Sequence, residues 1–201
     1  MHYLIKFTIT VVIAAFTPGP NNSMLMQSGM IFGFRRSIQH ILGVIIGFGF
    51  LFLCINFGIY ALLIRYPLLH TIVKAVGTGY FAYLAYRMLV LKADKGEKGT
   101  GGGLSKNKKP LGFWGAFAFQ WVNVKAWFFA LSAIGILPPS RGAGQIVIPV
   151  LIVTVFTAGA TCTWAYSGVL ISKVFRNPIY LRIISSILAA FLIFIAVDTW
   201  L

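Results

Sequence analysis

Thr17-Pro18-Gly19-Pro20-Asn21-Asn22 lies inside an apolar stretch running from residue 4 to residue 34, long enough to cross a membrane. Pro18 and Pro20 carry no backbone N–H, so the carbonyls of Ala14 and Phe16, their helical partners, lose hydrogen bonds. Lipid cannot satisfy the groups set free, and such a break survives only where protein or a water-filled cavity covers it. The helix resumes at Pro20, a residue suited to a first helical position. Its open N–H groups and positive dipole end then face the break, with the amides of Asn21 and Asn22 alongside. A carboxylate is favoured at that new N-terminus and an ammonium at the freed carbonyls, so both ends of a zwitterion are served. A plain proline kink covered by neighbouring helices is the simpler alternative. Two prolines, a glycine and two amides in six residues favour a binding site.

The rest of the composition agrees with a membrane setting. Of 201 residues, 59% are hydrophobic and 10% charged, and the mean hydropathy is +0.88. A soluble domain is about 45–50% apolar and 25% charged, so lipid is the solvent for most of this chain. The net charge of +14 does not indicate nucleic acid, because the basic residues sit at the ends of apolar runs rather than on a basic module. The amino terminus faintly resembles a signal peptide, but its apolar character continues to Phe34, which makes it a first span.

Six apolar segments are expected to be helices: 4–34 (broken at 17–20), 38–64, 71–91, 112–136, 146–171 and 182–201. Eleven basic residues fall in the loops after the odd-numbered spans: Arg35, Arg36, Lys92, Lys95, Lys98, Lys106, Lys108, Lys109, Lys173, Arg176 and Arg182. The opposite side holds four, Lys6, Arg65, Lys74 and Arg141, which places the odd loops in the cytoplasm and both termini outside. The fold expected is therefore an all-α membrane protein of six transmembrane helices forming one integral domain over residues 1–201. A first half (4–91) and a second half (112–201) are joined by a Lys- and Gly-rich cytoplasmic linker, 92–111. Three spans is an odd number, so halves of shared fold must be inverted relative to one another. Asn123 and Lys125 in span four stand where Asn21 and Asn22 stand in span one.

Lys125 is the second informative residue. A lysine near a span's centre costs about 2.5–3.5 kcal/mol on insertion scales, so it is expected to face the interior and pair with a substrate carboxylate or a freed carbonyl. A mid-membrane carboxylate is missing: Asp94 and Glu97 belong to the linker and Asp198 to the outer end. His2, His40 and His70 fall near span ends, where an interfacial role is the default. Gly29/Gly33 and Gly43/Gly47 have the spacing that lets helices approach closely. Asn56, Gln120 and Thr154 are candidates for a polar path or for interhelical hydrogen bonds. Trp114 and Trp200 suit interfacial belts, while Trp121, Trp127 and Trp164 lie deeper, as cavity walls or core. Cys54 and Cys162 lie at matched depth in the two halves, which raises the alternative of a membrane thiol–disulfide electron carrier. Neither has a partner cysteine or charge nearby to activate it. The Gly99–Lys106 run lacks the Gly-Lys-Ser/Thr order of a phosphate loop, and no cofactor or metal is called for.

Thr17-Pro18-Gly19-Pro20-Asn21 resembles the Thr-Pro-Gly-Pro-Asn signature of the LysE/RhtB family of bacterial amino-acid exporters. Gly33, Arg35 or Arg36, Gly43 and Gly47 are similar to the Gly, Arg and Gly pattern that follows it. Lys74, Gly77, Tyr83, Leu84 and Arg87 look like its third span. Asn123-Val124-Lys125, with Phe128 and Phe129, resembles its Asn-Pro-Lys segment. The likeness covers about the first 130 residues well and the last two spans mainly by length and hydropathy. It implies a bacterial inner-membrane carrier that expels amino acids or related metabolites, driven by the electrochemical gradient, the proton motive force being the expected source. Two departures stand out. Val124 replaces the expected proline, which puts a second helix break in doubt, and the final span lacks the usual glycine spacing.

The resulting expectation is a secondary transporter, not an enzyme, working by alternating access. Its binding site comprises Thr17, Pro18, Gly19, Pro20, Asn21, Asn22, Asn123 and Lys125. Its partners are a small zwitterionic substrate and the lipid bilayer, with no nucleic acid, and self-association stays open. With no buried carboxylate to meet a cationic side chain, neutral amino acids are the better fit.

Overall fold

A computed structural model describes residues 2–58, 109–138, 143–174 and 178–198, and eleven scattered positions between 68 and 89. The described residues are helical apart from turns and connections, with no strand among them. The elements are α1 (His2–Phe16), α2 (Pro20–Phe32), α3 (Phe34–Asn56), α4 (Phe113–Val122), α5 (Val124–Gly135), α6 (Ala143–Val174) and α7 (Pro178–Asp198). Leu68 and, on the expected third span, Thr71, Ile72, Ala75, Thr78, Gly79, Ala82, Tyr83, Ala85, Tyr86 and Leu89 are all helical. Lys74, Gly77, Leu84 and Arg87, the linker from 92 to 108, and Arg65, His70, Arg141, Arg176 and Trp200 lie outside the described residues.

Among the described residues, two helices are each long and apolar enough to cross a bilayer, α3 and the 146–174 portion of α6. Two further pairs qualify as bent spans: α1 with α2 at 49°, and α4 with α5 at 66°. The second break therefore exists despite Val124, and it is the sharper of the two. Its cause is Asn123, which leaves helical geometry for an extended conformation (φ −84°, ψ 95°). The Asn123 carbonyl then accepts the N–H groups of Ala126 (2.8 Å) and Trp127 (3.3 Å) to start α5. The indole N–H of Trp127 donates to the carbonyl of Trp121 at 2.9 Å, serving a group whose helical partner is lost at the break. Trp121 and Trp127 thus pack edge to face as core and cap, not as cavity wall.

The outward faces are apolar. On α1, Ile5, Ile9 and Ile13 are exposed while Phe7 and Val11 are buried, and on α3 the exposed stripe is Ile38, Leu42, Ile46 and Phe50. Such stripes at helical spacing suit lipid contact. α2 reverses the usual rule, since it is among the more polar helices and yet mostly buried, with Asn22, Ser23, Gln27 and Ser28 inside. It is in contact with α3, α6 and α7.

Glycines set the tightest approaches. A Cβ on Gly29 would meet the backbone carbonyl of Ala165, and one on Gly168 that of Met26, so α2 and α6 touch backbone to backbone. Gly43 and Gly47 do the same for α3 against α4, at Phe113 and Phe117. Gly33 differs from the expected packing role, because no atom lies near its would-be Cβ. Its φ of +80° turns the chain from α2 into α3 instead. His40 is also not interfacial: it is 2% exposed, within the α3 face that carries Ser37 and Val44. One turn away, the Ser37 and Ser28 hydroxyls share a buried hydrogen bond of 2.7 Å between α3 and α2.

Candidate functional site

The two breaks meet. α1 stops at Phe16 with the Thr17 N–H on the Ile13 carbonyl, and α2 restarts when the Ser23 N–H reaches the Gly19 carbonyl at 2.9 Å. Between them the chain runs extended through Gly19. Among the described residues, the carbonyls that side chains serve are not those of Ala14 and Phe16 but those of Ile13, which takes the Thr17 hydroxyl, and of Ala15, Thr17 and Pro18. The Asn22 amide donates to Ala15 (2.9 Å) and Thr17 (2.8 Å). Lys125 Nζ, from α5, donates to Thr17 (2.9 Å) and Pro18 (2.8 Å). The extended geometry at Gly19 is the reason, since it carries the last carbonyls past the helix end toward α5 rather than along the axis of α1.

Gly19 matters for this contact and not for its backbone angles. Its φ of −175° is open to any residue, but a Cβ there would lie 2.7 Å from both Cδ and Nζ of Lys125. A second link joins the first turn of α2 to α4. The Asn21 amide donates to Gln120 Oε1 (2.8 Å), and the Gln120 amide donates back to Asn21 Oδ1 (3.1 Å). Gln120 is fully buried and also donates to the Ala116 carbonyl at 2.9 Å. Of the three polar residues expected to line a path or bridge helices, Gln120 therefore bridges. Asn56 and Thr154 donate within their own helix, to Phe52 and Val150.

A cavity opens between the breaks, about 450 Å³ with its mouth included, of which about 50 Å³ admits the centre of a water molecule. It borders Gly19, Pro20, Asn21, Asn22, Asn123 and Lys125, six of the eight residues expected at the site. Thr17 and Pro18 do not border it and are exposed, and they take part only through their carbonyls. Ala14, Ala15, Val44, Phe48, Ala126, Phe129, Thr157, Ala160 and Thr161 complete the wall. The α6 residues carried one legible signal, two threonines at i and i+4 on an apolar helix.

Both half-helices point N-terminal ends at this space. Pro20 has no N–H and Ser23 makes the first helical bond, so the N–H groups of Asn21 and Asn22 are the open ones of α2. In α5 the open ones are those of Val124 and Lys125, since Ala126 already bonds Asn123. Two positive dipole ends and an ammonium therefore surround a pocket that also holds an orphan acceptor. Asn123 Oδ1, on a residue 2% exposed, has no hydrogen-bond partner among the described residues. A buried unpaired amide oxygen is costly and calls for an occupant that donates. Cys54 and Cys162 are free thiols outside this wall.

Comparison with known proteins agrees with the early motifs and extends beyond them. No solved structure matches the chain. It is 31% identical to the cysteine/O-acetylserine efflux protein of Salmonella paratyphi A, and 31% and 30% identical to proteins of the same name from Escherichia coli O139:H28 and K12. Each likeness covers 96% of this chain and 95% of the relative. A sequence model of the LysE type translocators matches residues 12–201, the last two spans included. These matches set aside the electron-carrier alternative: the chain belongs to the LysE type translocator family, as an integral membrane transporter and not an enzyme.

Proposed function

We propose that the protein exports small neutral amino acids and their zwitterionic derivatives, of the class named in its cysteine/O-acetylserine relatives, from the cytoplasm across the bacterial inner membrane. The observation that carries this reading is the reach of Lys125 from the second half onto the Thr17 and Pro18 carbonyls of the first, at the edge of a pocket between two broken helices. The substrate carboxylate takes the open N–H groups of α2 and α5 and draws Lys125 away from the carbonyls. The substrate ammonium takes Asn123 Oδ1 and the carbonyls that Lys125 vacates. Each partner exchanges one hydrogen-bond set for another, so binding loosens the tie between the halves without stranding a buried charge.

In this reading residues 17–22 with Asn123 and Lys125 are the substrate site. Six spans form one domain of two inverted halves, 4–91 and 112–201, with both termini outside and the basic 92–111 linker in the cytoplasm. The halves rock about the site in alternating access, driven by the proton motive force. The matching order of a broken span followed by a long straight helix, α1–α2 then α3 and α4–α5 then α6, supports the inverted relationship.

The test is counterflow of serine and O-acetylserine into proteoliposomes. Replacing Lys125 by Met removes hydrogen bonds from a charged donor, an effect of about 1.5–3 kcal/mol or roughly 10- to 150-fold, and loss of that size at normal insertion is expected. Full counterflow in Lys125→Met would sink the assignment.

A further inference from the structure

The charged ends of a zwitterion account for only part of the cavity wall. Apart from the alanines of α1 and α5, what remains is Val44 and Phe48 of α3, Phe129 of α5, and Thr157, Ala160 and Thr161 of α6. Phe48 and Phe129 stack at 5.1 Å between centroids, 19° from parallel, and form a flat and rigid side. Opposite chemistry comes from α6, whose three residues lie at i, i+3 and i+4 and so share one face. All three are small, and all three are buried.

The two hydroxyls on that face are not equivalent. Thr161 Oγ1 donates to the Thr157 carbonyl at 2.8 Å, with the Ala158 carbonyl at 3.0 Å. Its proton is committed, and only lone pairs are left to offer. Thr157 is 7% exposed and borders the cavity, and its hydroxyl has no hydrogen bond among the described residues. It is free to donate as well as accept. Among the described residues, no carboxylate or second ammonium borders this end of the pocket to pair with a charged side chain.

Resting on the reading that the cavity holds a zwitterion, we propose that the Thr157–Ala160–Thr161 face of α6 is the side-chain pocket that selects the substrate. Ala160 limits length and branching, and Thr157 rewards a side chain with a hydroxyl, thiol or ester oxygen. Substrates with a small polar side chain are accepted, while branched aliphatic, aromatic and charged ones are turned away. A buried hydroxyl left unpaired by an apolar side chain discriminates more sharply than a missing methylene does.

The experiment uses the full-length protein in proteoliposomes, with counterflow of alanine, serine, O-acetylserine, valine and leucine. Thr157→Val keeps the shape and removes the hydroxyl, and it lowers the serine-to-alanine ratio about 5- to 10-fold. Ala160→Leu cuts O-acetylserine by about 10-fold or more relative to alanine. Ala160→Gly introduces no clash and admits valine, which keeps the proposal testable if the leucine variant does not fold. Unchanged ratios in Thr157→Val and Ala160→Gly would overturn the proposal while leaving the site reading to stand on the Lys125 result. Wild-type protein that moves no member of the panel would overturn both.

Discussion

The side-chain amides of Asn21 and Gln120 exchange two hydrogen bonds, of 2.8 and 3.1 Å, across the seam between the two broken helices. The two are far apart in sequence, and the pair ties α2 to α4 at the cavity, which Asn21 borders. Removing one amide leaves its partner's polar atoms stranded in a buried site. Asn21→Ala and Gln120→Ala are each expected to lower the melting temperature in detergent. The double variant should lose less than the sum, with a coupling of about 0.6–1.7 kcal/mol, the range typical of interhelical hydrogen bonds in membranes. Strict additivity in a double-mutant cycle would contradict the pairing.

Gly19→Ala tests the contact between the glycine and Lys125. The backbone at Gly19 is extended and accepts alanine without strain, so any loss must come through the displaced ammonium, whose Cδ and Nζ lie 2.7 Å from the new methyl. Counterflow is expected to fall about 10-fold or more. In a Lys125→Met background the same substitution should add little, and independent, multiplying losses would separate the two residues.

Val124→Pro should be tolerated. Val124 is the first residue of α5, where proline's fixed φ fits the helix start and its missing N–H leaves the Lys125 N–H to meet the carboxylate. Asn123 before it already has the extended geometry that a following proline demands. Stability within about 1 kcal/mol of the parent is expected, with counterflow retained. Collapse of this variant would show that the Val124 N–H is needed in the site.

Gly168→Val should be severe for a different reason. Its side chain would enter the backbone of α2 at Met26 and Met30, where flexible atoms are not available to give way. Overpacking of this kind costs about 1–3 kcal/mol or more, and a lowered melting temperature with lost counterflow is expected. Gly135→Ala, where nothing lies within 4 Å, is the matched control and should stay near the parent.

The first break was legible because its cause is covalent: two prolines cannot donate, whatever surrounds them. The second was not, because Asn123 is merely permissive of a break. What holds it is the Trp127 indole on the Trp121 carbonyl, a contact that forms only after α5 has turned back. His40 shows the same limit. Its place near the end of an apolar run suggested an interface, but the packing around α3 buries it. Gly33 and Gly29 share one motif spacing yet do different work, one turning the chain and the other admitting a neighbouring backbone.

Sequence alone determined that this chain lives in lipid, that its first span is interrupted, and that Lys125 must face inward. Each follows from local chemistry: apolar length, missing N–H groups, and the cost of a bare ammonium in hydrocarbon. Only the tertiary structure decided which carbonyls Lys125 serves, that Asn21 finds Gln120, and that Thr157, Ala160 and Thr161 close the pocket. Those relationships join residues about a hundred or more positions apart, and nothing along the chain encodes them except the way small residues let the helices come together.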